Sequence, residues 1–121
     1  MYRSISVLLL AVCALLMAPQ AAATAGVNII PASGSQNTTF TVAGDGLQPG
    51  LALDVNFVSP EGTIFSTAFL NKVVVVGADG TFGLSVIPAQ DFTGASFGTW
   101  RVQVCVSGTD DCIDTTFEIL P

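Results

Sequence analysis

Histidine is absent from this chain of 121 residues. The commonest general base of enzyme active sites and the commonest transition-metal ligand are therefore both missing. Cations are nearly as scarce: three lysines and arginines stand against nine aspartates and glutamates, for a net charge of −6. A surface this poor in positive charge cannot neutralise phosphates, which excludes nucleic acids and anionic membrane surfaces as expected partners. The single tyrosine, Tyr2, and both methionines, Met1 and Met17, sit near the N-terminus. Of the three cysteines, Cys13 lies in that same region, so only Cys105 and Cys112 belong to the rest of the chain.

The N-terminal segment has the layout of a secretory signal peptide. Arg3 supplies the positive start, Ile5 to Met17 is an uncharged apolar run, and Ala21-Ala22-Ala23 and Ala23-Thr24-Ala25 are small-x-small cleavage patterns. The run is short of the roughly 20 residues that span a bilayer. Residues 1–25 are thus expected to be removed and residues 26–121 to form one domain, beginning at Thr24 or Gly26 and working as a secreted, extracellular protein. Only Lys72 and Arg101 would then oppose the nine acids.

That domain reads as strands. Apolar and polar residues alternate with period two in Phe40–Val42, Leu51–Phe57, Phe82–Val86, Trp100–Val106 and Ile113–Ile119. An all-β, antiparallel immunoglobulin-like sandwich of about seven strands follows, starting near Val27. The connections carry turn chemistry. "LQPG" suits a type II turn with Pro49 and Gly50 central, and "SPEG" suits type I. "ADGT" predicts a hairpin centred on Asp79-Gly80, joining Val73–Val76 to Thr81–Val86. Residues 64–76 break the pattern, with apolar side chains on both faces and Val73, Val74, Val75 and Val76 in succession. This stretch predicts two short strands or one strand covered on both sides. Uncovered, it would be an adhesive edge that meets a partner.

"CVSGTDDC" has one register that satisfies turn, core and cysteines together. Cys105 faces Cys112, Val104 faces Ile113, Val102 faces Thr115 and Trp100 faces Phe117, with Gly108-Thr109 as a two-residue II′ loop. Both cysteines then point outward and pair as a disulfide that closes a short loop, worth about 2.5 kcal/mol in the chain-entropy model. A redox role needs Cys-x-x-Cys spacing and an electropositive setting, and Asp110, Asp111 and Asp114 provide the opposite. The Asp-x-Asp-x-Asp-Gly ladder of a calcium loop is absent, so at most weak surface calcium binding is expected and no metal or cofactor site is assigned. Asp45 in "GDGL" lies in a turn without the lysine and helix of a phosphate loop. No catalytic residue can be named. A carboxylate-based secreted hydrolase is the remote alternative.

Several stretches together resemble the immunoglobulin-like sandwich of secreted bacterial proteins, and most closely the neocarzinostatin-type domain. These are "PASG" at residues 31–34, "VAGDGLQPGLALDV" at residues 42–55, "GADGTFGLSV" at residues 77–86 and "CVSGTDDC" itself. The family's other disulfide has no counterpart between Leu51 and Val76. The resemblance implies a carrier of a small apolar or aromatic ligand, an enediyne chromophore in that family. The loop "QDFTGASFG" would then offer Phe92 and Phe97 as ligand contacts. The leading expectation is broader: a non-catalytic binding or structural module that meets an unknown protein or surface partner outside the cytoplasm.

Overall fold

The computed structural model describes residues 26–68 and 70–121. The expected signal segment with its cleavage sites lies outside the described residues. Among the described residues, nine strands and one helical turn follow in order: β1 (Gly26–Ile30), β2 (Ser33–Gly34), β3 (Phe40–Asp45), β4 (Ala52–Val58), β5 (Ile64–Ser66), β6 (Val74–Val75), β7 (Phe82–Val86), α1 (Pro88–Asp91), β8 (Gly98–Val106) and β9 (Cys112–Ile119). Five of the six longer strands are those that alternation predicts, and β1 lies where the first strand is expected, near Val27. The short ones are invisible to a period-two search because they complete no more than one period.

The strands form two sheets. One is β1-β3-β7, antiparallel throughout; the other runs β2-β9-β8-β4-β5, with β6 also on β4. The N-terminal stretch serves both. β1 pairs with β3, the chain passes through Ile30–Pro31, and β2 then runs parallel to β9. The inward faces meet in one core. Phe40 of β3 packs on Phe117 of β9 with ring centroids 4.7 Å apart, which joins the two sheets directly. Trp100 is wholly buried, and its indole N–H donates to the Ser96 carbonyl at 2.9 Å, so the polar end of the ring is satisfied.

Two of the four predicted turns form as expected. Leu51 N–H closes on Gln48 C=O with Gly50 at φ 84°, the left-handed position that a type II turn requires. Gly62 N–H closes on Ser59 C=O, and Gly62 itself is left-handed at φ 92°, a type I turn with a glycine bulge joining β4 to β5.

The third turn departs from expectation twice. Gly80 N–H bonds Gly77 C=O at 3.0 Å, so Ala78 and Asp79 are central and Gly80 follows at φ 81°. The strands it joins also lie in different sheets, β6 on β4 and β7 on β3. It is a crossing between layers, not a hairpin. Asp79 holds it by accepting from the Thr81 hydroxyl at 2.7 Å and the Thr81 amide at 3.2 Å. These bonds, the hydroxyl first, hold the Asp79 carboxyl below its usual range.

The β8–β9 register is the one the cysteines, turn and core residues predict: Cys105↔Cys112, Val104↔Ile113, Val102↔Thr115 and Trp100↔Phe117. Cys105 and Cys112 are disulfide-bonded with Cα atoms 4.0 Å apart. The tip differs. Thr109 N–H closes on Val106 C=O, which makes Ser107 and Gly108 central, and Val106 N–H reaches Asp111 C=O. The Thr109 hydroxyl donates back to Val106 C=O and accepts from the Asp111 amide, which widens the loop beyond two residues.

Cys105 is also less open than an outward-facing residue suggests, at 8% exposure, although it stays outside the core cluster. Replacing both cysteines by serine should therefore leave the core intact. The expected loss is the loop-closure entropy, about 2–3 kcal/mol. For a domain of this size that lowers Tm by roughly 8–20 °C. Thermal unfolding followed by circular dichroism checks it; an unchanged Tm would show that the bond contributes nothing.

Candidate functional site

β4 is the strand on which the site is built. One edge pairs along its length with β8. The other edge is divided: β6 covers Ala52 and Leu53, and β5 covers Asn56 to Val58. Residues 64–76 are thus two short strands on one edge, which was one of the two expected arrangements.

Val55 falls in the gap between them and is fully buried. Thr67 fills the gap. Its amide donates to Val55 C=O at 2.9 Å, and its hydroxyl oxygen accepts from Val55 N–H at 3.2 Å. A single threonine replaces the missing strand. Thr67→Val keeps the shape and leaves a buried N–H without a partner, which costs about 1–3 kcal/mol. Thr67→Ser should retain most of that stability. Urea unfolding of the two variants separates the hydroxyl from the methyl.

Thr67, Ala68, Asn71 and Lys72, between β5 and β6, bound a cleft of about 280 Å³ beside Ala52, Leu53 and Asp54 of β4. Leu53, Thr67 and Val74 form its buried lining, and Ala52, Ala68 and Val73 its apolar rim. Polar groups come from Asp54, Asn71, Lys72 and Ser107. Asn71 is left-handed at φ 62°, a conformation asparagine tolerates better than most side chains. Ser107 lies 53 residues from Asp54 in sequence, yet its hydroxyl donates to the Asp54 carboxylate at 3.0 Å. That bond ties the β8–β9 tip to the cleft wall.

The four valines divide. Val74 and Val76 are in the core at 5% and 2% exposure, while Val73 and Val75 stand out at 88% and 52%. Val76 N–H bonds Leu51 C=O, so strand alternation turns the Val75 backbone groups to the open side. Of the four valines expected to form a partner edge, Val73 and Val75 are therefore exposed, and Val74 and Val76 belong to the core.

The two phenylalanines of the residue 90–98 loop have different settings. Phe92 has no exposed surface and packs between Phe57 and Phe65, both at 5.0 Å, and on Trp100 at 5.1 Å. Phe97 is 53% exposed. Neither lines the cleft by β4. The loop is held by the Gln36 side-chain amide, which donates to Ala95 C=O at 2.7 Å, and by Asp91, which accepts from Ile87 N–H at 2.7 Å.

Two residues of the cleft are distinctive in the sequence. Asp54 is the lone charge in the strand "LALDVNFV", and Lys72 is one of two basic residues beyond the N-terminal segment. Nothing local brings Ser107 and Asn71 to them. A second hollow, of about 270 Å³, lies over Ala43, Gly44 and Phe82 on the smaller sheet, and a third, of about 90 Å³, lies between Leu47 and Ile113. Neither brings a cation together with hydrogen-bonding groups. Among the described residues, no three cysteine or acidic side chains group closely enough to hold a metal ion. No helix of the described residues is long and apolar enough to cross a membrane.

No protein-family model and no curated protein matches the chain. Solved structures do. The chain is similar to macromomycin, with a TM-score of 0.55 and 18% identity over 80% of this chain and 100% of that one. It is similar to the chitinase ChiW of Paenibacillus sp. str. FPU-7, a bacterial cell-surface-expressed multi-modular enzyme machinery, with a TM-score of 0.52 and 15% identity. That match covers 83% of this chain and 9% of the chitinase. It is also similar to a tetra-tandem repeat in the extending region of a large adhesion protein, at 0.52 and 18%, over 78% of this chain and 24% of that one. At such identities the likeness is one of fold, and it identifies the chain as an all-β sandwich of the architecture these proteins share.

Proposed function

We propose that this protein is a non-catalytic binding module of the extracellular space, and that its binding surface is the open β6 edge with the adjoining cleft. One observation carries the reading. Val73 and Val75 are exposed apolar side chains on a sheet edge, directly beside a cleft that gathers Asp54, Asn71, Lys72 and Ser107. Apolar edges of this kind are left open where another molecule covers them. The disulfide supports an oxidising compartment.

A second reading is a carrier of a small ligand. It is favoured by the resemblance to the neocarzinostatin-type domain and by the fold likeness to macromomycin. A cavity lined by Phe92 and Phe97 would have supported that reading directly, but Phe92 is packed into a filled core. A carried ligand would instead occupy the cleft beside β4.

Native mass spectrometry of the protein purified from its own culture medium tests the main reading, with wild type and Val73→Asp/Val75→Asp compared. Wild type should carry a bound molecule or second chain that the variant lacks. A complex that survives in the variant would move the binding surface elsewhere, and a bare monomer in both would oppose the reading.

A further inference from the structure

Cations are so few beyond the N-terminal segment that each can be followed individually. Arg101 is paired with Asp114 across the β8–β9 ladder at 3.5 Å. Lys72 is half-buried, and among the described residues no carboxylate lies within ion-pair distance of it, although all nine acids of the chain are described. An ammonium with no counter-charge of its own is available for charge-assisted hydrogen bonds to a bound carboxylate. Lys72 lines the 280 Å³ cleft together with Asn71 and the apolar Ala52, Leu53 and Val74.

We propose that the cleft binds a small organic monocarboxylate, with Lys72 as the anchor for its carboxylate. The proposal rests on the reading of this cleft as a binding surface. The ligand's charged end meets the Lys72 ammonium, with the Asn71 amide beside it as a hydrogen-bond donor. Its apolar body lies toward Leu53 and Val74. The volume is just under that of sites for drug-sized molecules, so the body is short. Asp54, already accepting from Ser107, stands on the same cleft and repels a second negative charge. Monocarboxylates are thereby selected over dicarboxylates, and neutral analogues lose the charge-assisted contact.

The probes are 4-phenylbutyrate, the neutral 4-phenyl-1-butanol of the same shape, and suberate as the dicarboxylate. Each is titrated into the purified secreted protein and followed by amide NMR shifts. The expected result is movement at Thr67, Asn71 and Ser107 with phenylbutyrate, and affinity for the alcohol and for suberate weaker by about tenfold. Lys72→Met should reduce phenylbutyrate to the level of the alcohol without changing the alcohol, while Lys72→Arg should keep the preference. Tm of each variant confirms that the fold is retained. Equal affinity for acid and alcohol, an unchanged acid affinity in Lys72→Met, or stationary cleft amides would each overturn the proposal. If Val73→Asp/Val75→Asp strips a native partner while no carboxylate binds, the binding surface stands and the ligand class falls. If neither experiment shows binding, both fall.

Discussion

Phe92→Ala is expected to lower stability by about 3–5 kcal/mol, the range for removing a buried aromatic ring. Phe92 has no exposed surface and contacts three other rings, Phe57, Phe65 and Trp100, the last in a stacked arrangement at 23°. Each such pair contributes about 0.5–1.5 kcal/mol beyond area burial. The loop at residues 90–98 also depends on this ring as its inward anchor, so truncation removes packing and order together. Set against a typical domain stability of about 5–15 kcal/mol, the loss is a large fraction of the total. Phe97→Ala should fall within about 0.5 kcal/mol of wild type, because its ring is half in water. Urea unfolding of both variants provides the comparison. A stable Phe92→Ala protein that had lost ligand binding would reinstate this ring as a contact residue and overturn its assignment to the core.

Val74→Lys is expected to cost roughly 3 kcal/mol or more, and Val73→Lys close to nothing. The two positions are adjacent in sequence and alike in chemistry. They differ because β6 pairs Val74 with Leu53 of β4 and turns it into the core, at 5% exposure, while Val73 is 88% exposed. A lysine at residue 74 would have to place its charge among apolar side chains or displace β6 from β4. At residue 73 the same charge reaches water directly. Thermal melts of the two variants should differ by at least about 12 °C, from the usual shift of roughly 4–8 °C per kcal/mol in domains of this size. Equal melts would mean that β6 is not docked as described. The pair also bears on function: Val73→Lys removes an apolar edge contact without disturbing the fold, which makes it a clean probe of partner binding.

Legibility in the sequence was uneven, for physical reasons. The β8–β9 register was readable because three independent requirements, an inward apolar set, an outward cysteine pair and a short glycine-bearing loop, coincide in one alignment. The Asp79-Gly80 turn reads as a hairpin in the sequence because turn chemistry is local. Ala78, Asp79 and Gly80 reverse the chain whether the next strand lies beside the last or in the opposite sheet. Which sheet receives it depends on β3, more than 35 residues earlier, already offering its edge to β7.

The run Val73–Val76 shows the same division. Sequence alone could say that four valines exceed what one buried face needs. Only the pairing of β6 on β4 decides that Val74 and Val76 are the buried two.

By itself, then, the sequence determined an all-β, antiparallel, disulfide-closed sandwich and the residues of most of its strands, because alternation and turn residues act over a few positions. The tertiary structure alone decided the rest: the core position of Phe92, the gap at Val55 closed by Thr67, and the meeting of Asp54, Asn71, Lys72 and Ser107 at one cleft. These depend on which strand ends lie together in space. That is set by packing two sheets over a shared core, and no local pattern in the chain encodes it.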